Sequence, residues 1–340
     1  MSADNILDGE RRPHQTGSAA APPKPPLVVL IGATATGKSA LAIALGDIFQ
    51  IEIVNADSRN FYRGMDIGTA KPDPGELARV PHHLVDILDP DEPMSLARFQ
   101  QLAMVAIAGI HERGWLPLLV GGTPQYVNAV VEGWTIPQVA PNPVLRQELE
   151  REAEVAGVAA LLERLRTVDP AAAAKTGPNL RRIIRALEVF DATGIPISRL
   201  QARREVPFDP LEIELWLPRD LLYARIDRRV DDQIAAGLVD EVRELLAAGY
   251  GPELPAFSSI GYRQLVPAIA GNGDLDAAIE RIKLDTHRLV RHQQTWARKN
   301  PRLVRIDMRD PDALEQAIAL IENHAGTSLR DRSKNGRSAV

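Results

Sequence analysis

The sequence predicts an α/β protein: a parallel sheet flanked by helices, interrupted by an all-helical insertion. Three observations carry that expectation. Strand-like runs alternate with helix-patterned segments through the first 130 residues. A glycine-rich phosphate loop joins the first strand to the first helix. From about residue 137 to 202 the strand signal stops, then returns.

In order along the chain, the first 26 residues end in "APPKPP" and read as a disordered arm, Pro- and Ala-rich without periodicity. Leu27–Ile31 is an apolar run fit for a buried strand. Gly32, Ala33, Thr34, Ala35, Thr36, Gly37, Lys38 and Ser39 follow and satisfy G-x-x-x-x-G-K-[ST], and an alanine-rich amphipathic helix comes next. Strand, loop and helix are the context this motif needs: backbone N–H groups and the positive helix end cradle a diphosphate or nucleotide, Lys38 neutralises phosphate charge, and Ser39 ligates Mg²⁺. The fold class is thus P-loop NTPase-like. Further strands are expected at Ile51–Asn55, His83–Leu88 and Pro117–Val120. "NPVLRQELEREAEVAGVAALLERLRTVDP" and "NLRRIIRALEVFDATG" are helical, bounded by Pro and Gly. Strands resume at Ile213–Pro218 and Arg302–Met308, with long helices over Arg219–Ala248 and Leu275–Lys299. The expected division is a core of residues 27–136 and 206–322, an insertion of residues 137–205, and a loose tail over 325–340.

Composition sets outer limits. Of 340 residues, 45% are hydrophobic and 25% charged, as in an ordinary soluble protein. No apolar run reaches the roughly 18 residues of a membrane span, and the N-terminus lacks a signal-peptide order. The absence of cysteine excludes disulfides, thiolate catalysis and cysteine zinc sites. A cytoplasmic enzyme without a membrane partner is expected. The net charge of −5 argues weakly against a nucleic-acid partner, although distribution matters more than the sum.

The second strand ends in "NADSRNFYRGMDIGTAKP", which places Asp57 at the mouth of the sheet beside the phosphate loop. It is suited to act as a base or to orient an acceptor; the alternative is that Asp57 or Ser58 caps a following helix. Lys71 is either a ligand donor or a solvated charge. Gly121-Gly122-Thr123 leaves the fourth strand at the same edge, either to let a ligand approach the backbone and the Thr123 hydroxyl or simply to turn. No N-K-x-D element follows, and "HLVDIL" places Asp86 inside its strand rather than at its end. A GTPase or motor ATPase is therefore disfavoured.

GATATGKS, DSRNFYRGMDIGTAKP, PHHLVDILDP, GGTPQY, RRIIRALEVFDATG and IGYRQL occur in this order and spacing. On these motifs, over about residues 27 to 310, the chain strongly resembles the tRNA dimethylallyltransferases, or tRNA isopentenyltransferases, of the bacterial type. The resemblance implies transfer of a dimethylallyl group from dimethylallyl diphosphate to N6 of an adenosine adjoining the tRNA anticodon. The loop then holds a diphosphate that is the leaving group, with Mg²⁺ dispersing its charge. By the same match Asp57 is the general base, Thr123 bonds near the amine or the diphosphate, and Arg229, one turn from Arg225, clamps the diphosphate. Without the resemblance Arg229 could equally pair with Asp231, Asp232, Asp240 or Glu241.

For tRNA, the matching positions are Asp57, Ser58, Arg59 and Asn60, Thr123, Arg146, Arg181, Arg182 and Arg185, Ser258, Ser259, Ile260, Gly261, Tyr262 and Arg263, and Arg291, His292, Gln294 and Arg298. "RIKLDTHRLVRHQQTWARKNPRLVR" carries eight Lys/Arg against the single acid Asp285. On a helix His287, Arg291, Gln294 and Arg298 share one stripe and Ile282, Leu289 and Trp296 another. The first is either a phosphate track or a solvated face. Departures from the family pattern are Ala33, Asn60, Gln125, Asn179 and His292; they bear on affinity and tRNA preference rather than reaction type. The family default is a monomer acting on tRNAs that read codons beginning with U. Rival readings are a small-molecule P-loop kinase, an isopentenyltransferase of free adenylate, and a non-enzymatic RNA-binding module.

Overall fold

The computed structural model describes residues 23–326. Of the arm expected over residues 1–26 and the tail expected over residues 325–340, residues 1–22 and 327–340 lie outside them; Pro26 already belongs to the first strand and Ala325 to the last helix. Strands β1 (Pro26–Gly32), β2 (Ile51–Asn55), β3 (His82–His83), β4 (Leu116–Gly121), β5 (Asp209–Trp216) and β6 (Val304–Asp307) form one parallel sheet, ordered β3-β2-β4-β1-β5-β6. β1 is central, and Leu27 to Ile31 are buried on both faces, as its unbroken apolar run requires. Leu27, Val29 and Ile31 face a layer containing α3 (Leu96–Glu112) and α4 (Pro124–Val131); Val28 and Leu30 face α1 (Lys38–Gly46). The chain leaves β1 for β2 and returns to β4 before crossing to β5. The carboxyl ends of β1, β2 and β4 therefore open one crevice.

The short α2 (Pro74–Arg79) starts at an Asp73–Glu76 capping box. After α4, five helices leave the sheet: α5 (Pro143–Ala156), α6 (Val158–Val168), α7 (Pro170–Thr176), α8 (Leu180–Thr193) and α9 (Ile197–Leu200). They enclose an apolar core of their own around Leu149, Leu161, Leu165, Ile183 and Leu187. Two chain segments tie this bundle to the sheet, bridged at Trp134 and Arg203 and bonded from Thr135 N–H to Ala202 O and from Arg204 N–H to Gly133 O. The chain then forms α10 (Arg219–Ala235), α11 (Leu238–Ala247), α12 (Tyr262–Ile269), α13 (Leu275–Ala297) and α14 (Ala313–Ala325). α10 and α13 cover the face shared with α3, and α14 packs beside α1.

Two expected elements are corrected. The strand over His83–Leu88 stops at His83, because Leu84 and Asp86 take left-handed φ angles of 62° and 54°. Leu84 and Leu88 reach the core from a loop, and Asp86 lies outside any strand, paired with Lys71. The helix over Arg219–Ala248 breaks into α10 and α11 at Gly237, whose φ is 100°.

Candidate active site

The phosphate loop closes on itself. Thr36 Oγ1 donates to Ala33 O at 2.8 Å, and Lys38 Nζ donates to Gly32 O and Ala33 O, both at 3.0 Å. Ala35 and Gly37 have φ of 68° and 99°, so the turn is left-handed at two points and presents backbone N–H groups to the crevice. Burial pushes the Lys38 ammonium down to about 8; Asp57 pulls it up and Arg229 pushes it further down. Ser39 is exposed on the first turn of α1, and its hydroxyl has no partner among the described residues. No cluster of three or more His, Asp or Glu side chains suited to a metal occurs among those residues. This donor set fits a Mg²⁺ held by one hydroxyl, waters and the ligand's own phosphate oxygens.

Asp57 follows β2 in a turn rather than capping a helix. Asn55, which the motif reading passed over, fixes it: Asn55 Oδ1 accepts from Asp57 N–H at 3.0 Å and Asn55 Nδ2 donates to Asp57 O at 3.1 Å. Asp57 Oδ1 accepts from Arg59 N–H at 3.0 Å, and Oδ2 makes no hydrogen bond among the described residues. Thr123 is the N-cap residue of α4 but its side chain makes no capping bond, and Thr123 Oγ1 accepts from Ser58 N–H at 3.5 Å. A Cβ at Gly121 would lie 2.5 Å from the Ala56 backbone, so glycine lets β4 come this close to the Asp57 turn. On α10, Arg229 forms no hydrogen bond or ion pair among the described residues. Its pKa is lowered by burial and held up by the charge of Asp57. Lys38, Asp57 and Arg229 thus form one electrostatic cluster, and none of the acids weighed as surface partners for Arg229 pairs with it.

Asp57, Thr123, Arg229 and Thr34 line a cavity of about 420 Å³ whose other walls include Ile226, Val230, Ile282, Leu289 and Ile260. Charged, polar and apolar side chains all line it. A larger groove of about 860 Å³ adjoins it, sharing Ile260, Arg263, Leu289 and His292. There Arg263, Arg281 and Arg288 converge on Asp285, with Gln264 also donating to that carboxylate. Three guanidiniums on one acid leave the groove net positive.

Residues 60–300 match the family model described as IPP transferase. The chain belongs to the IPP transferase family. It is 52% identical over 297 residues to a tRNA dimethylallyltransferase of Roseiflexus castenholzii, covering 87% of this chain and 97% of that one. To the Thermomicrobium roseum enzyme of the same name it is 50% identical over 316 residues, covering 93% and 95%. Among solved structures, a tRNA isopentenylpyrophosphate transferase of Bacillus halodurans is similar with a TM-score of 0.68 at 38% identity, covering 92% of this chain and 99% of that one. A eukaryotic dimethylallyltransferase acting on tRNA is similar with a TM-score of 0.74 at 28% identity, covering 88% and 79%. The P-loop sheet found here is the fold of this family.

Against that family, the expected RNA contacts fall into distinct places. Asp57, Ser58, Arg59, Thr123, Ser258, Ser259, Ile260, Arg263 and His292 line the cavity. Asn60 lies beside that set without lining it, and its Oδ1 is buried without a partner. Gly261 opens α12 with φ 102°. Tyr262 is fully buried; its hydroxyl donates to Glu241 Oε1 at 2.5 Å, and the same carboxylate accepts the Asp66, Ile67 and Gly68 N–H groups. Tyr262 thus supports the "GMDIGTAKP" loop. Lys71 supports it too, bonded to Tyr62 O, Asp66 and Asp86, so it is neither a solvated charge nor a cavity donor. Glu241 carried no motif.

The stripe drawn along α13 divides. Arg291 and Arg298 are exposed, with Arg291 donating to Tyr223 Oη at 3.2 Å. His287 stacks on Tyr223 and sits 2.8 Å from Asp227, while buried Gln294 holds Arg219 at 2.8 Å and Leu217 O at 3.2 Å. Of the companion stripe, Ile282 is buried but Leu289 is 38% exposed, at the cavity rim. In the insertion, Arg181 and Arg182 are exposed on α8, whose N-terminus Asn179 caps through Arg182 N–H. Arg146 and Arg185 both bond the buried Glu188.

Proposed function

We propose that this chain transfers the dimethylallyl group of dimethylallyl diphosphate to N6 of the adenosine next to the anticodon, in tRNAs that read codons beginning with U. The observation that carries the reading is the meeting of Arg229, Asp57 and Thr123 at one cavity, flanked on one side by the phosphate loop, whose Lys38 feels the charges of Asp57 and Arg229, and on the other by a positively charged groove. The names of the relatives support it.

In this reaction the P-loop N–H groups and Lys38 hold the diphosphate from one side, and Arg229 meets it from α10. Both cations lack a hydrogen-bonded carboxylate, so their charge is free to stabilise the negative charge that grows as the C1–O bond breaks. Ser39 would hold Mg²⁺, which would share that charge. The apolar walls from Ile226, Val230 and Ile282 suit the isoprenoid chain and keep water from the reacting carbon. Adenosine N6 attacks C1 as diphosphate departs. Asp57 takes the N6 proton through its unbonded Oδ2, while Arg59 N–H keeps the carboxylate in place. Thr123 Oγ1 offers its own proton to the incoming base or the diphosphate. Arg263 and His292, at the groove, meet the RNA strand, and a base leaving a loop stack costs only a few kcal/mol. The chain acts as a monomer in the cytoplasm on this reading. Among the described residues no helix is long and apolar enough to cross a membrane.

The test supplies labelled dimethylallyl diphosphate and Mg²⁺ with unmodified tRNA or with AMP. Label in tRNA is the expected outcome. Label in AMP would assign the free-nucleotide reaction instead, and ATP hydrolysis without label in either would return the loop to a kinase.

A further inference from the structure

Gln293 of α13 belongs to no motif and is 8% exposed, yet it touches both halves of the site. Its Oε1 accepts from Thr34 N–H at 2.9 Å, and its Nε2 donates to Gly122 O at 2.9 Å. Thr34 therefore faces the cavity with its backbone amide already spent. Gly122 is shaped around the same side chain, since a Cβ there would lie 2.6 Å from Gln293 Nε2. The next residue, Thr123, contacts the Asp57 turn through Ser58 N–H. One amide thus closes a circuit from the phosphate loop, through α13, to the turn carrying Thr123 and the strand end carrying Asp57.

We infer that Gln293 is a positioning residue that sets the distance between the bound diphosphate and the attacking amine. The inference rests on the transfer reaction proposed above. Both ends of the amide are used, one as acceptor and one as donor, so no apolar or shorter side chain makes the same bridge. The consequence is geometric: the electrophilic carbon travels with the phosphate loop and the nucleophile with the Asp57–Thr123 side. A shift of about 1 Å between two such groups costs on the order of 10²-fold in rate. The bridge also starts on the helix that carries Leu289, one turn away, and His292, the adjacent residue, at the cavity rim, so RNA docked against α13 bears on the same circuit.

The experiment compares wild type, Gln293→Leu, Gln293→Ala, Gly122→Ala and Gly122→Ala with Gln293→Ala in the labelled-transfer assay, with thermal melts of each. Gln293→Leu is expected to lose about 10²-fold in kcat while KM for tRNA stays within about threefold and the melt shifts little. Gly122→Ala is expected to cost much more in wild type than in the Gln293→Ala background, where the added methyl has room. A kcat for Gln293→Leu within about threefold of wild type overturns the inference, as do additive effects in the cycle. A wild type that transfers no label at all sinks the proposed reaction itself, which separates the two failures.

Discussion

Arg185 and Arg229 both sit on helices and both match expected substrate contacts, but the fold sets different neighbours beside them. In the helical insertion, Arg185 and Arg146 converge on Glu188, a carboxylate only 1% exposed. Burial alone would push that carboxyl up; hydrogen bonds from Arg146, Asn142 N–H and Arg185 outweigh it and take it down to about 2. In the core, Arg229 and Lys38 share the single acid Asp57 at a distance and bond no carboxylate. A guanidinium already bidentate to a buried acid, as Arg146 is, holds a fold together. One held in a cavity without a partner has its charge in reserve for an anion, and its desolvation is repaid only on binding. Motif matching ranks the two alike; neighbours separate them.

The largest effect is expected at Arg229. Arg229→Met is expected to cut kcat/KM for the allylic diphosphate by about 10²–10³-fold while the melting temperature holds or rises, because a desolvated charge is removed. An equal loss in Arg146→Met would erase the distinction. Glu188→Gln runs the other way: it should lower stability by about 1.5–3 kcal/mol and leave donor kinetics unchanged. Its pH signature has a definite sign. A folded-state pKa below the ordinary 4.5 gives stability that is fully present above about 4.5 and lost as pH falls towards about 2. Acid melts of Glu188→Gln should lose that window. A smaller effect sharpens the core side. Lys38 titrates near 8 when free, and bound diphosphate favours its charged form. Through Lys38, diphosphate affinity should therefore fall by up to about tenfold per unit above about pH 8. Calorimetry on wild type and Lys38→Met checks this, the slope being absent from the variant.

Much of this was legible in the sequence, for physical reasons. The P-loop, Asp57 and Gly121–Thr123 are local in the chain, and each lies at a strand end where a parallel sheet places its ligands. The helical insertion announced itself by a change of period. What escaped depends on packing between distant segments. Apolar "HLVDIL" looks like a strand, but Leu84 and Leu88 are buried from a loop whose turns need left-handed φ at Leu84 and Asp86. Periodicity finds stripes on α13 but not what each meets: Gln294 is turned against Arg219 and His287 against Tyr223, while Leu289 reaches the rim. Gly237, by contrast, was a readable break that the amphipathic pattern on either side concealed. Asn55, Glu241 and Gln293 shape the site through partners far away or on backbone atoms, and no spacing rule reveals them. Asp285 had a signal, a lone acid among eight cations, and it is the hub of the groove.

On the proposed reaction, Asp57 takes the proton from the attacking amine beside two cations that bond no carboxylate. Single-turnover transfer of labelled dimethylallyl to tRNA by Asp57→Asn, with tRNA and diphosphate affinities measured on the same samples, tests it most directly. The expected rate is lower by about 10²-fold or more, with both affinities within about threefold of wild type. An asparagine variant that transfers within about tenfold of the wild-type rate would contradict it.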